Sequence, residues 1–166
     1  MTERQGITIA VLTENQDDVE LVNGTLRDAG HAAHCHWIES PRKFDRTLSK
    51  ERIELIILNS DGYPDPIRQV LKSKDAYQPE VPVIALKKSV DEAGIQNAMN
   101  DGACDLVSIE NKGRLQAVVA RELRAFRVER ALNSTLNSAT EYKRQLNAYM
   151  QGSSSAISNV QEGKPG

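Results

Sequence analysis

Aromatic residues are scarce, with one Trp, two Phe and four Tyr making 4% of 166 residues. That is poor material for stacking on the exposed bases of a nucleic acid. Charge of one sign is also lacking. Twenty-one Lys and Arg stand against 23 Asp and Glu, for a formal net charge of −2 and a pI near 5.9. No overall basic footprint exists, so no nucleic-acid partner is expected. No apolar run approaches a membrane span or signal sequence, which predicts no membrane insertion and a soluble, cytoplasmic protein. The two cysteines, Cys35 and Cys104, lie far apart without a CxxC pairing. A reduced compartment with buried free thiols follows.

What is present is enough apolar material, 39%, for one good core with roughly forty residues left over. Ile7 to Leu12 reads as a first strand, and Val19, Val22, Leu26 and Ala29 mark a helix from Gln16 that Gly30 stops. Ala32 to Ile38 is a second strand, and a helix over Pro41 to Ser49 turns Phe44 and Leu48 inward. Ile53 to Leu58 is the third strand; Ile67, Val70 and Leu71 mark the next helix, after a Gly62-Tyr63-Pro64 turn. Val81 to Leu86 makes a fourth strand, in which Pro82 suits a start because it cannot donate to a ladder. Ser89-Val-Asp-Glu92 has the spacing of a capping box for a helix that buries Ile95, Ala98 and Met99 and ends at Gly102. Asp105 to Ile109 is the fifth strand. Strands alternating with helices through short connections predict an α/β fold, a doubly wound five-stranded parallel sheet covered on both faces.

From Lys112 the pattern changes, because no stop appears until Gly152. Leu115, Val118, Val119 and Phe126 can pack the first part on the sheet. Beyond them Leu132, Leu136, Ala139, Leu146 and Met150 recur in four-three phase, with Lys143 in the missing core place, as a heptad seam does. Such an extension is marginal alone in water, which predicts a homodimer through this helix, or a lead into another domain. The last residues contain a Ser/Gly turn, a short apolar stretch Ala156 to Val160 read as a strand, and a Gly/Pro turn. They are too few for a domain.

The run Leu55-Ile-Ile-Leu-Asn59, followed by Gly62 and Pro64, is an interior parallel strand that delivers Asn59 to the carboxyl edge of the sheet. Ligands and chemistry gather at that edge in open α/β sheets.

Three pieces now carry a family likeness: Ala10-Val-Leu-Thr-Glu-Asn15 before an Asp-rich helix, Leu55-Ile-Ile-Leu-Asn59 followed by Pro64, and Ala98-Met-Asn-Asp-Gly-Ala-Cys-Asp-Leu-Val107. Together they resemble the receiver domain of bacterial response regulators over roughly Ile7 to Val128. The resemblance implies a strand order of 2-1-3-4-5 and a site built from two acidic residues after the first strand, an aspartate after the third, a Thr or Ser after the fourth and a Lys after the fifth. Those places hold Thr13 and Glu14, Asn59, Lys87 and Ile109, and Leu106 stands at the family's aromatic switch position. Phosphoryl transfer in such a site needs a carboxylate nucleophile and a Mg²⁺ held by carboxylates. An amide at Asn59 is a poor nucleophile and adds no charge to a metal site, so the resemblance implies a degenerate receiver with no enzymatic activity, metal or cofactor. Asp61 is the alternative acceptor, although it falls in a turn where Asp is common. Lys87 is expected to pair with Glu14 in place of the lost cation, with a lysine pointing to solvent as the rival.

The domain reading is a degenerate receiver over 1–128, a coiled helical linker over 129–151, and over 152–166 a disordered tail or the truncated start of another domain. Leu146 through Gly163 resembles the approach to a PAS domain, as in the FimX-like receiver, PAS, GGDEF and EAL regulators of cyclic-di-GMP signalling and type IV pilus motility. That implies an interaction module that dimerises or docks an unidentified protein and relays to the other domains of its polypeptide. The alternative is the pseudo-receiver and coiled helix of an RNA-binding transcription antiterminator; a regulator phosphorylated on Asp61 comes last. His31, His34, Cys35 and His36 cluster, but strand alternation lets at most two of the last three converge on a metal. Arg114, Arg121, Arg124, Arg127 and Arg130 are interleaved with Glu122 and Glu129, as on a solvated helix face.

Overall fold

Side chains that alternate between two buried faces on four short strands, with a more exposed fifth at one edge, dictate the architecture. The computed structural model of the chain describes residues 6–61 and 63–162, with side chains through residue 152. The Gly62 position of the turn before Pro64 and the Gly/Pro turn at 163–166 lie outside the described residues. The strands are β1 (Ile7–Leu12), β2 (Ala33–Ile38), β3 (Leu55–Asn59), β4 (Val83–Lys87) and β5 (Asp105–Ser108). All neighbours pair in parallel in the order β2-β1-β3-β4-β5, as expected for a receiver-like doubly wound sheet.

Five helices alternate with the strands: α1 (Gln16–Asp28), α2 (Phe44–Lys50), α3 (Pro66–Tyr77), α4 (Glu92–Asn100) and α5 (Lys112–Glu162). Ile9, Val11, Leu55, Ile57, Ile84 and Val107 face Val22 and Leu26 of α1 and Leu115 and Val119 of α5. Ala10, Leu12, Ile56, Leu58, Val83 and Leu106 face Phe44 and Leu48 of α2, Ile67 and Val70 of α3 and Ala98 of α4. Successive strand residues thus feed two separate cores, the period-two rule applied to a sheet with both faces covered.

Several boundaries depart from the sequence reading for local reasons. Pro41–Lys43 is a 3-10 turn ahead of α2 rather than its first turn. Pro82 lies just before β4 and still enters the ladder as an acceptor, from Ile56 N–H at 2.9 Å. Ser89 does not cap α4. Asp91 does, accepting from the Gly94 N–H at 2.7 Å. Gly94 lets α4 approach Leu106, where an added Cβ would lie 3.3 Å from the leucine side chain. The inward line is therefore Gly94, Ile95 and Ala98, and Met99 is 52% exposed. Gly152 does not stop α5, which continues through Glu162 where a strand was expected at Ala156 to Val160. A helical Gly costs only about 1 kcal/mol relative to Ala, and no proline follows until Pro165.

The chain divides into two units, one ending at Phe126 and one starting at Arg127. Within the second, every side chain from 134 to 152 is exposed. Among the described residues no helix is long and apolar enough to cross a membrane.

Gly102 ends α4 at φ +112°, where a side chain would also collide with Leu71. Gly102→Ala should therefore lower stability by about 1–3 kcal/mol in urea unfolding, at unchanged m-value.

Candidate functional site

Parallel pairing brings the ends of four strands to one edge: Leu12 lies opposite Leu58, Asn59 opposite Leu86, and Lys87 opposite Ser108. The residues that follow open an uncovered hollow of about 320 Å³, lined by Thr13, Glu14, Asp18, Asn59, Asp61, Lys88, Ile109 and Glu110 together with Asn15. Thr13 and Asn59 continue the alternation of Val11 and Ile57, so both turn toward α1.

At the centre is Asp18, in the first turn of α1. Its Oδ2 accepts from the Thr13 hydroxyl at 2.6 Å and from the Asn59 amide nitrogen at 2.9 Å. The other end of that amide, Oδ1, accepts from the Asp61 N–H at 2.9 Å. Thr13 is fully buried, its hydroxyl accepts from the Asn15 N–H at 3.2 Å, and its carbonyl accepts from the Trp37 indole at 2.9 Å. The carboxylate at the centre of this hollow is thus supplied by a helix, and two neutral donors bind its Oδ2. Sequence reasoning missed Asp18 because it looked for acids on the loop after β1; the Asp17-Asp18 pair at the start of the helix was the available signal.

Thr13, Glu14, Asn59 and Ile109 meet in this hollow, while Lys87 and Leu106 do not. Lys87 follows Val83 and Ala85 onto the opposite face of the sheet. There it lines a second hollow of about 190 Å³ with Leu106, Asp65, Ile67, Ala98 and Asp101. No ion pair joins it to Glu14, so the expected pairing is corrected: strand alternation, not sequence distance, separates the two groups. Lys88 is the ammonium on the Glu14 side. Asp61 Oδ2 accepts from the Lys88 N–H at 3.1 Å, which ties the β3 and β4 loops together. The hollow carries four carboxylates against one ammonium, yet among the described residues no three His, Cys, Asp or Glu converge as a metal site. Tyr63 donates to the Glu39 carbonyl at 2.7 Å; burial first, then the charges of Glu14, Glu39 and Asp18, push its phenol up to about 12.

A second ionic cluster was not anticipated. Asp105 of β5, its side chain 9% exposed, accepts from Arg114 at 2.8 Å and Arg121 at 3.1 Å of α5, and from the Leu106 N–H at 2.8 Å. Arg114 also donates to the Leu106 carbonyl at 2.6 Å. Burial alone would raise the Asp105 carboxyl, but these donors outweigh it and hold the group below its ordinary 3.8. Two members of the arginine run therefore clamp α5 to the edge strand. On β2, at the opposite edge of the sheet, the His34 and His36 rings stack edge to face at 4.7 Å; burial pushes the Cys35 thiol up to about 11 and raises that of Cys104.

No family model matches the chain, and no curated protein matches it. Many solved structures do. A signal receiver domain of a Luxo repressor protein from Vibrio parahaemolyticus aligns at 19% identity and TM-score 0.64, over 77% of this chain and 98% of its own. A response regulator from Thermotoga maritima aligns at 17% and 0.62, over 72% and 99%. NtrX from Brucella abortus aligns at 20% and 0.65, over 78% of this chain and 30% of its own. At these identities the likeness shows the fold, that of response-regulator receiver domains.

Asn59→Asp should bring a second carboxylate within about 3 Å of Asp18 and cost on the order of 1–2 kcal/mol at neutral pH. Because the penalty requires both groups to be ionised, it should shrink as pH falls through the raised pKa of the pair, as thermal melts between pH 4 and pH 8 would reveal. Asp105 behaves oppositely, since its folded pKa is depressed. Its contribution is fully present above about 3.8 and is lost as pH falls below that value through the folded pKa. Asp105→Asn should remove about 1.5–3 kcal/mol at pH 7 and flatten the acid limb of the stability curve.

Proposed function

We propose that the chain is a non-catalytic signalling module, a receiver-fold domain that takes no phosphoryl group, pairs copies through its long helix and relays to other domains of a larger polypeptide. The observation that carries this is the Asn59 amide. It stands where receivers keep their phosphoryl-accepting aspartate, and both of its ends are engaged, by Asp18 and by the Asp61 N–H. A neutral carboxamide is a far weaker nucleophile toward phosphorus than an ionised carboxylate, and this one is already held at both ends. Ile109 lines the same hollow and supplies no cation for developing phosphate charge. With the chemistry gone, what the edge retains is a fixed loop arrangement: Thr13, Asp18, Asn59 and Asp61 connect β1, α1, β3 and β4 in one hydrogen-bonded chain. Such an arrangement suits a docking surface of constant shape. Its setting in a cyclic-di-GMP regulator of pilus motility rests on the sequence likeness of Leu146 through Gly163.

The helical tail favours a second reading at one point. The antiterminator type continues in helices after its coiled segment, and α5 is helical through Glu162. Salt-sensitive binding of a structured RNA by the full chain would support that reading.

Incubation with acetyl phosphate and Mg²⁺, read by intact mass, should leave both the wild type and Asn59→Asp unmodified, because restoring one carboxylate restores neither the metal charge at Thr13 nor the cation at Ile109. A base-labile phosphoryl adduct mapping to Asp61 in the wild type would falsify the proposal.

A further inference from the structure

The exposed apolar side chains of the second unit do not follow a single heptad line. Leu132, Ala139 and Leu146 are shared by two lines. One adds Leu136, Lys143 and Met150 and runs back to Glu129, so it carries two charges. The other adds Val128, Thr135, Tyr142 and Tyr149. The second set, 128, 132, 135, 139, 142, 146 and 149, recurs at four-three spacing over three heptads with no charged member. Its large members are all uncovered: Val128 62%, Leu132 56%, Tyr142 67%, Leu146 43% and Tyr149 74% exposed. A helix with this much bare apolar surface is marginal in water, so the face needs a partner.

Charge placement identifies the partner. In the frame of the uncharged line, Glu129, Leu136, Lys143 and Met150 form one flanking column, and Glu129 and Lys143 lie seven residues to either side of Leu136. Neither has an ion partner among the described residues. A second copy running parallel sets Glu129 level with Glu129 and Lys143 level with Lys143. A second copy running antiparallel about an axis near Leu136 sets Glu129 beside Lys143 twice, once on each side of the axis. The same register opposes Val128 to Leu146, Leu132 to Tyr142 and Thr135 to Ala139, so every layer between the charges is uncharged. A face whose charges complement themselves under a two-fold axis is what an isologous contact requires.

We infer that two copies of this chain pair antiparallel along Val128, Leu132, Thr135, Ala139, Tyr142, Leu146 and Tyr149, with reciprocal Glu129–Lys143 ion pairs fixing direction and register. This rests on the reading above that the helix pairs copies. It replaces the seam through Leu136, Lys143 and Met150 with one that leaves Lys143 at the rim in water.

The test uses the full chain with Cys35→Ser and Cys104→Ser, carrying one spin label at Ala148 or at Asn137. Antiparallel pairing puts the two 148 labels about 22 helical residues apart along the axis, roughly 33 Å, and the two 137 labels close together. Parallel pairing makes both distances short. In parallel with this, sedimentation should show Tyr142→Glu abolishing the dimer and Met150→Glu sparing it. Glu129→Lys and Lys143→Glu should each weaken association about threefold to tenfold, and the double swap should restore it. A short 148–148 distance, loss of the dimer in Met150→Glu but not in Tyr142→Glu, or unchanged affinity in both single swaps would overturn the antiparallel seam while leaving dimerisation intact. A monomeric wild type at high concentration would overturn both.

Discussion

Five parallel strands, all but the edge strand β2 buried on both faces, must end at one edge, and the alternation along each strand then decides which helix layer every terminal side chain meets. The rest of the domain follows from that constraint. Thr13 and Asn59 fall on the α1 side and Lys87 and Leu106 on the α3 and α4 side, so residues adjacent at the edge belong to two different hollows. The site is divided by the pleat.

On the α1 side the hydrogen bonds converge on a carboxylate that arrives from a helix. Asp18 receives two neutral donors, the Thr13 hydroxyl and the Asn59 amide. The hydrogen bonds extend through Asn59 and Asp61 to the backbone of the β4 loop, so one network joins the loops that follow β1, β3 and β4. On the far edge the Asp105 clamp does comparable work, tying β5, an edge strand of four residues, to α5.

The strands, the helices and the identity of the edge residues were legible in the sequence because they depend on local periodicity: Leu55 to Asn59 announces a buried strand ending on an amide whatever surrounds it. The partners of those residues were not legible. Asp18 was invisible as a site residue because its approach to Asn59 spans 41 positions and depends on how α1 lies on the sheet. Lys87 was misassigned because alignment by motif counts residues and ignores which way a strand faces. Asp105 was read only as a strand residue, since nothing near it in sequence reveals that Arg114 and Arg121 return to it one and three turns into a later helix. Met99 was expected inside because its spacing matches Ile95; the close approach at Gly94 rotates the helix the other way.

The only tryptophan of the chain, Trp37, is part-exposed on the edge strand and donates its indole N–H to the carbonyl of Thr13, whose hydroxyl is bound to Asp18. One chromophore is thereby wired, through a single backbone residue, to the network at the sheet edge. The intrinsic emission of the chain therefore reports on the hydrogen-bonded network at the sheet edge, with no competing indole signal.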